Sequence, residues 1–81
     1  MKENDNRVII GVKVYIRRLI EEYEEIVEIW QQDKSDKFYK VTATRKINEL
    51  EVPPIILAKA NKINEKVDIS QDLEKELKLL F

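Results

Sequence analysis

The residues of this chain that could do chemistry are carboxylates. Glu21, Glu22, Glu24, Glu25 and Glu28 form one run, and Asp68 and Asp72 follow later. Paired carboxylates perform acid–base catalysis only when burial or coupling drives their pKa values apart. These glutamates mostly avoid the apolar stripe of the helix expected there and read as a solvated acidic face. The chain has no histidine and no cysteine. That removes the usual base near neutral pH, the usual zinc ligands, any thiol nucleophile and any disulfide. The sequence therefore predicts no enzyme: no catalytic residue, no metal site and no cofactor.

The basic residues point to a second kind of chemistry. Thr44 to Lys62 can be read as helix, short turn, helix, with Arg45, Lys46, Lys59 and Lys62 available for phosphates. Against it, Glu49 and Glu51 lie among them, and fifteen Lys and Arg against sixteen Asp and Glu leave a net charge of −1. Nucleic-acid affinity rests largely on phosphate neutralisation. Ile55-Ile56-Leu57 is also poor in side chains that reach base edges. A nucleic-acid partner is thus not the expected one.

Positioning these residues falls to a single small domain of 81 residues. Charged residues make up 38% of it, with one Gly and two Pro. Abundant Lys, Glu and Ile with few loop residues fits a thermophile or an AT-rich genome. No basic start with an apolar run of signal-peptide length is visible, and no apolar run is long enough to cross a membrane. The expected location is the cytoplasm or a particle.

Val8, Ile10, Val12, Val14 and Ile16 alternate with their neighbours, a strand pattern. From Ile16 the stripe Leu19, Ile20, Tyr23, Ile26, Val27, Trp30 moves in steps of three and four, which is one helix face. No Gly, Pro, Asn or Asp lies between Val12 and Gln32 to make a turn. The spacing predicts a strand over 7–12 and an amphipathic helix over 14–32. The competing reading is a second strand at 26–32, with Ile26, Glu28 and Trp30 on one face and Val27 and Ile29 on the other.

Asp33-Lys34-Ser35-Asp36 is the clearest turn. Lys37 to Thr44 follows as a strand, with Tyr39, Val41 and Ala43 on one face. Arg45 to Leu50 reads as a helical turn with Ile47 and Leu50 inward. Val52-Pro53-Pro54 starts a helix running to about Lys62, because proline suits the first helical position. Asn61 ends it, since asparagine tolerates the left-handed conformation. The segment 73–81 fits a helix through Leu73, Leu77 and Leu80, or a closing strand through Leu77 and Leu79.

Residues 38–79 resemble a LysM module. Tyr39-Lys40-Val41 sits at that family's opening strand, and Ile47 at the inward position of its first helix. Leu57-Ala58-Lys59-Ala60-Asn61 matches the Leu-x-x-Ala-Asn ending of its second helix. Glu76-Leu77-Lys78-Leu79 stands at its closing strand. The resemblance implies a βααβ unit with both helices on one side of a two-stranded sheet. The family's Gly-Asp-Thr after the first strand is replaced by Thr42-Ala43-Thr44. The fold class expected is α+β: residues 1–35 as an N-terminal strand and helix, 36–81 as the LysM-like unit. Most LysM modules bind glycans; some are assembly parts of phage tails and related particles. A glycan groove would use Thr42, Thr44, Asn61, Lys62 and Ile63. The missing loop motif and the added amphipathic extension favour assembly instead. The function expected is a non-catalytic module making protein–protein contacts, with a protein partner or a second copy docking on Tyr23, Ile26 and Trp30. Aromatic residues are enriched at interface hot spots.

Overall fold

The computed structural model describes residues 6–73. They form an antiparallel sheet of four strands: β1 (Val8–Arg18), β2 (Tyr23–Gln32), β3 (Phe38–Ile47) and β4 (Lys66–Asp68). The strand order is β3-β2-β1-β4. A 3₁₀ turn (Glu49–Glu51) and one short helix, α1 (Pro54–Lys59), lie between β3 and β4. The chain turns helical again at Ser70.

This overturns the α+β, βααβ expectation. The protein is mostly antiparallel sheet, and among the described residues β3 is an edge strand that pairs with β2. Positions 77–79, on which the closing strand rested, lie outside the described residues.

The largest correction concerns 14–32. It is not a helix but the two arms of a hairpin, paired from Val8↔Gln32 to Arg18↔Tyr23. The competing strand reading of 26–32 was the right one. The hairpin turns at 19–22 without Gly, Pro, Asn or Asp, closed by the Leu19 N–H donating to the Glu22 carbonyl at 2.8 Å. Ile20 sits exposed at the tip. Cross-strand pairing supplies what the turn lacks: Arg17 ion-pairs with Glu24 opposite it, Arg45 with Glu25 and Lys46 with Glu22. β-branched residues along both arms suit the pleated surface.

The second turn behaves as its residues suggest. The Asp33 carboxylate accepts from the N–H groups of Ser35 and Lys37 at 2.9 and 3.0 Å and from the Tyr39 hydroxyl at 2.7 Å. Asp36 takes the left-handed conformation, φ 64°. Three further details differ from expectation. Arg45 to Ile47 extend β3 instead of coiling. Leu50 is 95% exposed rather than inward. The left-handed residue after α1 is Asn64, φ 69°, whose N–H donates to the Arg18 carbonyl at 2.7 Å; the helix itself closes at Ala60 with φ −94°, so Asn61 does not cap it in the left-handed region.

Residues opposite one another in an antiparallel pair share a face. Val14, Ile16, Tyr23, Ile47 and Val67 therefore line one side. α1 and its flanks cover the lower part of that side, enclosing a core of Ile16, Tyr23, Ile47, Val52, Ile56, Ala60 and Ile69. Proline starts α1 at its first position, and Ile56 is its one buried residue. Lys59 ties α1 to the following chain through both oxygens of the buried Asp72 carboxylate, at 2.8 and 2.9 Å.

Candidate functional site

α1 is only six residues long, so it covers only part of the sheet. Beyond it, among the described residues, the apolar face continues uncovered. Val12, Ile29 and Val41 stand in one row across three strands. On this face Ile9, Val12 and Val41 are between 46% and 63% exposed, while the exposed Val8 and Phe38 pair with Gln32 on the other face. β4 pairs only with Tyr15–Arg17, so among the described residues the outer edge of β1 before Val14 has no strand beside it. The last outward groups of β1 to be satisfied belong to Val14. Its N–H donates to Ser70 Oγ at 3.0 Å and its carbonyl accepts from Ile69 at 2.9 Å. The register shifts between Ile9 and Gly11, a bulge of the kind that bends an edge strand.

The opposite face is chemically different. Its rows run Gly11–Trp30–Lys40, Lys13–Glu28–Thr42, Tyr15–Ile26–Thr44 and Arg17–Glu24–Lys46. Lys66 and Asp68 of β4 join the Arg17 and Tyr15 rows. Two lysines lie over aromatic rings: Lys66 Nζ is 4.4 Å from the Tyr15 centroid, and Lys40 Nζ is 5.4 Å from that of Trp30. Both also approach one buried carboxylate, Glu28, at 3.9 and 3.8 Å. A groove of about 550 Å³ lies between the two rings, lined by Ile10, Gly11, Lys13, Tyr15, Glu28, Trp30 and Phe38. Asp68 flanks this face; the N–H of Ser70 donates to its carboxylate at 2.9 Å and holds it below the usual carboxylate range.

No family model, curated protein or solved structure matches the chain. The reading of its surfaces rests on their geometry.

The residues singled out in the sequence are dispersed. Of the expected interface, Tyr23 is buried in the core under α1, while Ile26 and Trp30 lie on the other face. Ile26 is buried there and Trp30 half-buried. The helical stripe that joined the three does not exist. Of the expected glycan groove, Thr42 and Thr44 lie on β3. Asn61, Lys62 and Ile63 lie in the loop beside Arg18, whose guanidinium donates to the Asn61 carbonyl at 3.1 Å. β2 and β1 separate the two groups. The phosphate set is dispersed too. Arg45 pairs with Glu25 on the helix-covered face, Lys46 with Glu22, and Lys59 with Asp72, while Lys62 stands exposed in its loop. The helix-turn-helix reading fails because Arg45 to Ile47 are strand and only a 3₁₀ turn precedes α1.

Gly11, Lys13, Tyr15 and Lys66 went unnoticed in the sequence. The signal was present: the period of two from Val8 to Ile16 continues to Arg17 and puts Lys13, Tyr15 and Arg17 on one face. Among the described residues no group of His, Cys, Asp and Glu could hold a metal ion, and no helix is long and apolar enough to cross a membrane.

Proposed function

We propose that this protein is a non-catalytic assembly module whose contact surface is the uncovered end of its sheet, and whose first partner is a second copy of the chain. The observation that carries the reading is the run of apolar side chains there, Ile9, Val12, Ile29 and Val41, next to an edge of β1 that is unpaired among the described residues. Contiguous exposed apolar surface marks interaction sites on soluble domains. Open strand edges template pairing with another chain. The two edges are not equivalent. β3 carries Lys40, Arg45 and Lys46 and no acidic residue, so two β3 edges repel. The free half of β1 is apolar with Lys13 as its one charge, and it supports antiparallel self-pairing.

Catalysis has no place in this reading. Glu22, Glu24, Glu25 and Glu28 each face a lysine or arginine, which uses them as ion-pair partners.

The test is sedimentation velocity over rising concentration, comparing the wild type with the double variant Val12→Lys/Val41→Lys. The expected result is a concentration-dependent dimer that the double variant loses while melting at nearly the same temperature. A wild type that stays monomeric throughout and sediments like the variant removes the reading.

A further inference from the structure

Trp30 and Tyr15 are not needed for that apolar contact, and their surroundings have a different character. Each presents a ring on the face opposite α1, and each ring has a lysine ammonium over it. The two ammonium groups share the single Glu28 carboxylate at distances beyond a hydrogen bond. That leaves positive charge in excess. Lys13 adds a third ammonium at the groove wall. The cations of this face are Lys13, Arg17, Lys40, Lys46 and Lys66. Its carboxylates are Glu24, Glu28 and Asp68; Arg17 takes up Glu24, and Lys46 pairs with Glu22 at the hairpin turn. With both pairs set aside, Lys13, Lys40 and Lys66 face Glu28 and Asp68, so among the described residues this face is net positive although the chain as a whole is not.

Between the rings, along the strands, stand Lys13 and the buried Glu28. Gly11 stands opposite Trp30 and has no side chain to fill the groove. Gly11 and Tyr15 are four positions apart on one strand, so the rings are separated by about 13 Å along it. Bases stacked in a helix sit only about 3.4 Å apart on each strand. The two rings therefore cannot take adjacent bases of a duplex. They suit an extended, unstacked strand that lays one base on each ring, with Gly11 leaving room beside Trp30 and Lys13 standing between the rings.

We infer that this face is a binding site for single-stranded nucleic acid, with Trp30 and Tyr15 as stacking platforms and Lys13, Lys40 and Lys66 as phosphate contacts. Aromatic rings interleaved with lysines on an open sheet are the physical requirements for sequence-tolerant binding of a single strand. This site lies on the other face of the sheet from Val12, Ile29 and Val41 and does not require self-association.

Trp30 is the chain's only tryptophan, so its fluorescence reports stacking directly. The experiment titrates the full chain with a short oligothymidine and a short oligouridine at low salt, reading Trp30 quenching and oligonucleotide anisotropy together. Saturable quenching that weakens steeply with added salt is expected. Tyr15→Ala should weaken binding about tenfold. Gly11→Val is the variant that keeps the fold: a Cβ at Gly11 meets nothing within 4 Å, so the side chain enters the groove without a clash. It should weaken binding by a similar factor with the melting temperature retained. Three results would each overturn the inference: no quenching at low salt, binding by Gly11→Val equal to wild type, or equal competition by a polyglutamate peptide. The last would mark the face as a general anionic or protein-docking surface.

Discussion

The two ends of the same sheet face are built from similar residues and meet different fates. At the lower end Ile16, Tyr23 and Ile47 are sealed by Ile56, Val52, Ala60 and Ile69. At the upper end Val12, Ile29 and Val41 continue the same three strands, and among the described residues nothing lies over them. The difference is not in the strands. It comes from the reach of α1, which is six residues and about 9 Å long and cannot span strands of ten and eleven residues. Burial in this domain is thus decided by the connection, and the strands carry apolar residues on both sides of that boundary.

The comparison breaks most sharply under large-to-small substitution. Ile56→Ala, at a residue 1% exposed, should cost about 2–5 kcal/mol in urea unfolding. Val12→Ala in the monomer should stay within about 0.5 kcal/mol. Equal losses would mean that the upper end is as well packed as the lower.

A middle-sized effect lies in pH at the turn joining β2 to β3. The hydrogen bond from Tyr39, with those from Lys37 and Ser35, holds the Asp33 carboxyl well below the usual carboxylate range. The folded pKa is depressed, so this contribution is complete above the ordinary aspartate pKa of about 3.9 and is lost as pH falls through the lower folded value. The same bond raises the Tyr39 hydroxyl above its ordinary value. That contribution is present below the ordinary tyrosine pKa and is lost as pH rises through the higher folded one. Protection of the Ser35 and Lys37 amides against exchange, taken relative to the intrinsic rate at each pH, should therefore fall below about pH 4. Asp33→Asn should already exchange faster at neutral pH and lose the acid-dependent change. An unchanged pH profile in Asp33→Asn would assign the acid effect elsewhere, Asp68 being the other carboxylate held low.

The smallest effect sharpens the boundary from the other side. Leu50→Ser, at a residue 95% exposed beside the closed end, should shift stability by no more than about 0.5 kcal/mol. A larger loss would place Leu50 in contact with something.

Much of this layout could be read from residues, and the failures have physical causes. The Asp33–Asp36 turn was legible because an aspartate that bonds backbone two and four residues on leaves a local signature. β3 was legible from its aromatic and β-branched alternation, and α1 from its proline. The β1–β2 hairpin was not. Its turn at 19–22 is made of Leu, Ile and two Glu and is held by pairing on either side rather than by turn chemistry. Its apolar residues also fall by chance at helical spacing. The cross-strand charge complement of Arg17 with Glu24 is the cue that favoured a hairpin. The Tyr15–Trp30 face was hidden by the same error, since a helix over 14–32 gives those two residues no common face across paired strands. The LysM resemblance drew on the strand and the Pro-started helix, both of which exist, but in a sheet of different connectivity.

The strand order has a consequence for how the chain is made. β1, β2 and β3 pair with their immediate sequence neighbours, so the meander can form as soon as it is synthesised. The residues that seal its apolar side, from Val52 to Ile69, are all translated afterwards. Until Val67 reaches Ile16, a loop of about fifty residues must close. During that interval the nascent sheet exposes Ile16, Tyr23 and Ile47 together with Val12 and Val41, which is the period of greatest exposure to wrong partners. Among the described residues, the native protein leaves only the second half of that surface open.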